Sequence, residues 1–257
     1  MALTLFGLGL IGAFTSGLVG VGGAVVMIPL LLYVPPLLSV GAFDIKIVTG
    51  LTMTQVLAAA VVGTWSHGRH ALVHRVLAWT GGPAMAAGSL AGAVASRYVS
   101  GRALLIVFAL MATLALPLML VTPAGPADEP GESAVPFSRA AAIIYPGAIG
   151  LMSGLVGAGG AFLLVPVLIG LMRIPVRLSI GTSLAMVGMS AATGFVGKAA
   201  TGQVPLWESV VLVLGSLSGA PLGGRVSRRI PVAALRTVLV TIIVVVMLRI
   251  WIDVFRP

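Results

Sequence analysis

Ten apolar runs make up most of this 257-residue chain, and short polar gaps separate them. A water-soluble domain carries roughly 25% charged residues to cover its surface, whereas only 8% of these residues are charged. Lipid is therefore the solvent that suits these runs, and the sequence predicts an all-α polytopic membrane protein of about 8 to 10 hydrophobic segments. The runs lie near 3–19, 24–38, 45–65, 76–96, 103–122, 140–156, 161–172, 178–197, 207–222 and 233–252.

The basic residues of the chain fall mostly in the gaps between the apolar runs. The net charge of +9 would indicate nucleic acid as the partner of a soluble protein, but charges in short loops are typical of signals that orient membrane segments. We therefore expect the lipid bilayer as a partner and no nucleic acid. The chain has no cysteine, which excludes disulfides and thiolate metal sites.

A glycine-rich motif occurs twice, as SGLVGVGG at 16–23 and SGLVGAGG at 153–160. Three further blocks repeat in the same order. They are IVTGLTMTQV with LSIGTSLAMV, GTWSHGRHALV with GFVGKAATGQV, and GSLAGA with GSLSGA. Four similar blocks in one order indicate an internal duplication, and repeated halves are typical of secondary transporters.

The duplication and one polar stretch predict the domain organisation. Residues 123–138 contain the only long polar segment, which is rich in proline and acidic residues and reads as a flexible linker. We therefore expect a first transmembrane repeat at 1–122 and a second at 139–257.

The apolar run after each glycine motif is too short to cross a membrane. Residues 24–34, before the Pro35–Pro36 pair, would form about 16 Å of helix, and residues 161–172 about 18 Å. A hydrocarbon core is roughly 30 Å thick. Each motif is therefore predicted to be a glycine break, in a broken helix or a re-entrant hairpin, buried in protein or facing an aqueous cavity. Hairpins would make the halves inverted and broken crossings would make them parallel. The loop charges do not decide between the two, and we expect hairpins and inverted halves.

The glycine breaks are the first candidate for a substrate site. Without side chains, successive N–H groups can turn toward one anion, and the short helix that follows adds the positive end of its dipole. The alternative is close helix packing through small residues. A dinucleotide site is excluded because no β-strand and acidic partner accompany the glycines. The candidate residues are Gly20, Gly22 and Gly23 in the first break and Gly157, Gly159 and Gly160 in the second.

The two breaks, GTSL at 181–184 and KAATGQV at 198–204 together resemble the sulfite exporter TauE/SafE family. The resemblance covers essentially the whole chain and rests on the ordered set of motifs in both halves. It implies secondary transport of a small, mostly sulfur-containing anion such as sulfite, thiosulfate or an organosulfonate across a prokaryotic inner membrane. The first half departs from the pattern with GLTM at 50–53 and HGRHALV at 67–73, so the two half-sites are expected to be unequal.

Polar residues inside the apolar runs are the second group of candidates. Hydroxyl or amide groups at Thr52, Gln55, Thr182 and Ser183 can donate to an oxyanion, or the hydroxyls can bond back to their own helix. Lys198 ends an otherwise uncharged segment. It either faces a cavity and attracts the anion or extends to the membrane interface.

The remaining ionisable residues favour neither a metal site nor an enzyme. Three histidines and two arginines lie within residues 67–75, and no carboxylate or cysteine is near to complete a metal site. We expect an interfacial basic patch there, with an anion-attracting vestibule or a pH-sensitive gate as the alternative. We expect no metal, cofactor or catalytic residue, and a small anion as substrate. An anion channel is the closer rival to a transporter and an intramembrane enzyme the more distant one, while monomer and homodimer both stay open.

Overall fold

The computed structural model describes residues 1–19, 23–67, 73–121, 138–227, 230 and 232–255. Ten α-helices and no β-strand occur in these ranges, so the predicted all-α membrane fold is confirmed. The helices are α1 (Ala2–Val19), α2 (Ala24–Leu37), α3 (Ile45–His67), α4 (Arg75–Ala95), α5 (Gly101–Val121), α6 (Arg139–Val156), α7 (Ala161–Gly170), α8 (Val176–Ala200), α9 (Leu206–Ser227) and α10 (Val232–Phe255).

Five helices in the described ranges are long and apolar enough to cross a bilayer. The apolar helices α2 and α7 have only 14 and 10 residues, which give about 21 and 15 Å of helix. Neither reaches across a core of roughly 30 Å. The long spans are Gly101–Leu120, Arg139–Val156, Leu178–Ala200, Leu206–Val226 and Thr237–Phe255.

Helix α1 packs against α9 through glycines that allow backbone-to-backbone contact. A Cβ added at Gly215 would lie 2.1 Å from the Phe6 carbonyl oxygen. Gly219 and Gly223 meet the carbonyl oxygens of Leu10 and Phe14 at the same distance. Because both series advance four residues at a time, α1 and α9 run in the same direction.

Helix α4 packs in the same way against α6. A Cβ at Gly150 would lie 2.1 Å from the Met85 carbonyl oxygen, and one at Gly154 would lie 2.1 Å from that of Ser89. These two helices are therefore also parallel. Helix α8 joins them, because the hydroxyl of Thr193 donates to the Ala86 carbonyl at 2.7 Å.

Helices α3 and α8, which carry the matching blocks of the two halves, run in opposite directions. Thr49 near the start of α3 bonds Lys198 near the end of α8, whereas Ala60 lies opposite Gly188, earlier in α8. Helix α3 also contacts α2 and α9. It is therefore well placed to touch elements of both halves.

Helix α2 differs from the sequence expectation in where it ends. It continues through Pro35 and Pro36 to Leu37, because proline has a helical φ and the carbonyls of both prolines accept bonds from N–H groups beyond the helix. Its first residues fold back along α1, where Met27 lies against Gly12.

The contacts between the halves are extensive, since α1 packs on α9 and α4 packs on α6 and α8. The division into repeats at 1–122 and 139–257 stays a prediction. The predicted linker at 123–138 lies almost wholly outside the described residues.

Candidate substrate site

The second glycine break is a sharp turn between α6 and α7. Helix α6 ends at Val156, and the backbone φ angles of Gly157, Gly159 and Gly160 are 76°, 65° and 77°. These left-handed values strain any residue with a Cβ. The break and the first turn of α7 are buried, so the turn lies inside the protein.

The second break packs directly on α3. A Cβ on Gly157 would lie 1.9 Å from the Thr49 carbonyl oxygen, and one on Gly159 would lie 2.4 Å from Val56 Cγ1. Residues 49 and 56 are two helical turns apart and share one face of α3. Thr52 belongs to the same face by helical spacing.

Unpaired donors gather where α7 begins. Within the described part of the chain, four consecutive buried N–H groups donate no hydrogen bond, and they belong to Gly159, Gly160, Ala161 and Phe162. Buried N–H groups without a partner are rare. Here they lie at the positive end of the α7 dipole, which is suited to an anion.

Ser153 adds a polar side chain beside these donors. It is fully buried, and its Oγ has no hydrogen-bond partner among the described residues. A Cβ built on Gly160 would lie 3.2 Å from Ser153 Cβ. The free hydroxyl and the free N–H groups therefore belong to the same small region.

Lys198 lies beside the second break and is completely buried, so it does not extend to the interface. Its Nζ donates to Ser96 Oγ at 2.7 Å, Thr49 Oγ1 at 2.9 Å and Gln203 Oε1 at 3.1 Å. A fourth bond of 3.0 Å reaches the Leu155 carbonyl at the end of α6. The structure therefore brings Lys198, Thr49 and Gly157 together.

The other predicted polar residues have different surroundings. The Thr52 hydroxyl donates to the Val48 carbonyl at 2.8 Å and that of Ser183 to the Ile180 carbonyl at 2.9 Å, so both bond back to their own helices. Thr182 Oγ1 accepts the His74 N–H at 2.9 Å. Both Thr182 and Ser183 lie on α8, and nothing described brings them to the second break.

Gln55 lies toward the first break rather than the second. Its side chain is buried, and its Oε1 has no partner among the described residues. Its Nε2 would lie 3.1 Å from a Cβ built on Gly12 of α1. Helix α3 thus presents Thr49 to one break and Gln55 to the helix that leads into the other.

Only part of the first glycine break falls within the described residues. Gly20 and Gly22 lie outside the described residues. The Gly23 N–H donates to Ser16 Oγ at 2.8 Å, and Gly23 has a φ of −12°. The donor at this glycine is therefore already occupied by a side chain of the same motif.

The prediction of an interfacial basic patch is wrong for His74, because this side chain is buried at the start of α4. Its Nδ1 accepts the Leu77 N–H at 3.2 Å and so caps the helix, because polar side chains at this position satisfy free N–H groups. The side chain of His67 and all of Arg69 and His70 lie outside the described residues. In the described ranges, no group of three or more potential ligands lies together.

Sequence reasoning missed Ser96, Gln203 and Ser153 as site residues. Gln203 belongs to the KAATGQV motif and Ser153 to the SGLVGAGG motif. A polar side chain inside each of these two motifs could have indicated a site residue. Ser96 ends α4 without any such signal. Its contact with Lys198 follows from the packing of α4 on α8.

Comparisons with known proteins agree with this architecture. The family model described as sulfite exporter TauE/SafE matches residues 5–250. The chain is 28% identical over 247 residues to the "Probable membrane transporter protein YunE" of Bacillus subtilis, covering 86% of this chain and 87% of that protein. It is 29% identical over 232 residues to a "Probable membrane transporter protein" of Xylella fastidiosa, covering 86% and 82%. No solved structure gives a significant match.

Proposed function

Because this chain belongs to the sulfite exporter TauE/SafE family and is a multi-pass membrane protein, we propose that it is a secondary transporter of a small sulfur-containing anion. Sulfite, thiosulfate and organosulfonates are the proposed substrates. The protein would carry them across a prokaryotic inner membrane by alternating access. It would use no cofactor and catalyse no reaction.

The unpaired donors at the second glycine break carry this proposal. Four buried N–H groups and the free Ser153 hydroxyl lie at the start of α7, whose dipole favours negative charge. A sulfur oxyanion presents several acceptor oxygens on a compact group. It would satisfy these donors without requiring any of them to leave an existing partner.

Lys198 would supply the positive charge of this site. It bonds the Leu155 carbonyl two residues before Gly157, so its ammonium lies close to the break. An intramembrane cation costs several kcal/mol unless it is hydrated or paired, and an approaching anion lowers that cost. The proposed site residues remain Gly20, Gly22, Gly23, Gly157, Gly159, Gly160, Thr52, Gln55, Thr182, Ser183 and Lys198.

The directions of the helices support inverted halves. Corresponding helices α3 and α8 run antiparallel, as expected for repeats related by an axis in the membrane plane. Parallel repeats would place these two helices in the same direction. The first residues of α2 also fold back along α1, which favours a hairpin over a broken crossing.

Uptake into proteoliposomes tests the proposal. The purified protein would be reconstituted and offered labelled sulfite, sulfate, thiosulfate and a sulfonate in turn. We expect at least one sulfur anion to enter faster than into protein-free liposomes. Rates no higher than those of protein-free liposomes for every anion in the panel would contradict the proposed substrate class.

Counterflow distinguishes a carrier from a channel. Liposomes preloaded with unlabelled substrate should take up labelled substrate faster if the site alternates between the two sides. An uptake rate that does not respond to substrate on the far side would favour an anion channel. Chemical conversion of the anion during uptake would instead favour an intramembrane enzyme.

A further inference from the structure

Oxygen atoms surround the Lys198 ammonium in the way that protein ligands surround a bound metal cation, and we refer to them as its shell. Four oxygens lie within 3.1 Å of Nζ, from Thr49, Ser96, Leu155 and Gln203. None of them belongs to a carboxylate, and Lys198 forms no ion pair with any residue that the structure describes. The cation is therefore surrounded by neutral ligands.

The two hydroxyl groups of this shell give their protons to oxygen atoms rather than to Nζ. Thr49 Oγ1 donates to the Lys46 carbonyl at 2.8 Å, and the single proton of Ser96 Oγ is within reach of the Ala93 carbonyl at 2.6 Å and of Gln203 Oε1 at 3.0 Å. Both hydroxyls therefore turn lone pairs toward Nζ, as the carbonyl oxygens of Leu155 and Gln203 do. A neutral amine has two N–H donors and an ammonium has three, so the shell suits the charged form.

The negative end of a helix completes the shell. Leu155 is among the last four residues of α6, whose carbonyls have no partner within the helix and carry the negative end of its dipole. Broken helices in transporters use these carbonyls to coordinate a coupling ion such as Na⁺ and use the opposing N-termini to bind an anionic substrate. Here the last turn of α6 contacts Lys198 through the Leu155 carbonyl, and α7 begins at the unpaired N–H groups.

We propose that this shell is a monovalent-cation site that Lys198 fills with its own ammonium, in place of a free Na⁺ or K⁺. Neutral oxygens are the ligands that hard cations prefer. The tethered cation would place its positive charge beside the substrate site without a free ion, so transport would need no free alkali cation. Only the role in transport rests on the proposed function, whereas the cation site is testable without it.

Removing the side chain should open the site to a free cation. In Lys198→Ala the four oxygens remain and the volume of the lysine becomes vacant. In Lys198→Met a chain of similar length fills that volume without a charge. The alanine variant should bind Na⁺ or K⁺, whereas the methionine variant and the natural protein should not.

Thermal unfolding of the purified protein in detergent measures this binding. At equal ionic strength, Na⁺ or K⁺ should raise the Tm of Lys198→Ala over its value in N-methylglucamine by about 5 °C or more near 100 times Kd. The Tm of the natural protein and of Lys198→Met should be the same in all three salts. Comparison of Na⁺ with K⁺ identifies the cation that the shell prefers.

Several outcomes would overturn the cation site. One is a Tm of Lys198→Ala that is equal in the three salts, and another is an equal response in Lys198→Met. Lys198→Ser is the second variant, because it is also small and adds an oxygen. Failure of both small variants to fold even in abundant Na⁺ and K⁺ would refute the idea, since a free cation should then replace the ammonium.

Transport gives an independent result. Labelled thiosulfate uptake by the natural protein should be unchanged when N-methylglucamine replaces Na⁺ and K⁺, and an absolute need for either ion would overturn the role of Lys198. If no sulfur anion is transported but the alanine variant still responds to cations, the proposed function fails and the cation site stands.

Discussion

The two glycine breaks have nearly the same sequence, yet the described parts of them differ in their free hydrogen-bond donors. In the first break the Gly23 N–H donates to Ser16 Oγ, and in the second the Gly160 N–H and Ser153 Oγ have no described partner. The φ angle is −12° at Gly23 and 77° at Gly160. Among the described residues, the first motif therefore satisfies its last N–H group with its own serine, whereas the second leaves the corresponding N–H group open to a ligand.

The two breaks also differ in the residues that surround them. Three residues of the Lys198 shell can be compared with their counterparts in the aligned repeat blocks. Thr49, Ser96 and Gln203 correspond to Ile180, Gly223 and Leu72, respectively. None of these three counterparts has a side-chain oxygen. The shell of Lys198 therefore has no counterpart of the same residue types at the aligned positions, and we expect the two half-sites to be unequal.

The largest expected effect comes from filling the second break. Gly159→Val adds a side chain at a φ of 65°, with its Cβ 2.4 Å from Val56 Cγ1, and covers the free N–H groups. Left-handed strain costs about 1–2 kcal/mol and overpacking about 1–3 kcal/mol. We expect uptake in proteoliposomes to be abolished while the protein still inserts.

Two variants control for a general packing defect. Gly188→Ala, where the new Cβ would lie 3.8 Å from Ala60, should transport normally. Gly22→Val makes the corresponding change in the first break and should reduce uptake less. Normal uptake by Gly159→Val would show that the second break is not the substrate site.

Removing the charge beside the second break should have the next largest effect. Lys198→Gln keeps a polar side chain, and the loss of a charged interaction worth about 1.5–3 kcal/mol should raise the KM for the anion roughly 10- to 100-fold. His67→Gln changes the aligned position of the first half and should leave KM nearly unchanged. A KM unaltered by Lys198→Gln would contradict its role near the anion.

The serines of the two motifs should respond in opposite ways. Ser16→Ala removes the acceptor of the Gly23 N–H and should lower stability by about 1 kcal/mol with little change in KM. Ser153→Ala removes a hydroxyl without a described partner, so Tm should hold while KM rises roughly 5- to 10-fold. Equal changes of Tm and KM in both variants would refute the difference between an occupied and an open break.

The smallest expected effect concerns the anchoring of the two short helices. Helix α2 is tied to α10 by the Tyr33 hydroxyl, which donates to Asp253, and by the Arg249 guanidinium, which lies 4.7 Å from the centre of the Tyr33 ring. Within α10, Arg249 also bonds the Asp253 carboxylate at 2.7 Å. Tyr33→Phe should lower stability by about 1 kcal/mol without changing substrate affinity. A large change in KM would mean that α2 moves with the substrate site.

A change at the contact of helix α7 can be compared with Tyr33→Phe at the contact of helix α2. It packs on α5 through Phe162, whose ring meets Phe108 edge to face with centroids 6.4 Å apart. Phe108→Leu conserves an apolar side chain and should cost no more than about 1.5 kcal/mol. Thermal unfolding of both variants compares the polar anchor of α2 with the apolar anchor of α7.

The sequence predicts the helices well because each apolar run is long enough to require one. It also indicates Lys198, since a charge in an apolar run is costly and conspicuous. It does not predict that Ser96 and Leu155 contact this lysine, because α4, α6 and α8 meet only through tertiary packing. Gln203 follows Lys198 by only five residues, and its contact is local. Nor does the sequence predict that α2 passes Pro35 and Pro36, because the bonds that end the helix come from residues beyond it.

The glycine contacts of α1 with α9 and of α4 with α6 have a consequence for motion. Each pair consists of one helix that precedes the linker and one that follows it. The two backbones are so close that the helices cannot slide past each other without breaking the glycine contacts. Under the proposed alternating access, we expect the moving bodies to be composite units, one built around α1 and α9 and the other around α4, α6 and α8. Spin labels intended to follow the motion belong on these two units rather than on the amino- and carboxy-terminal halves.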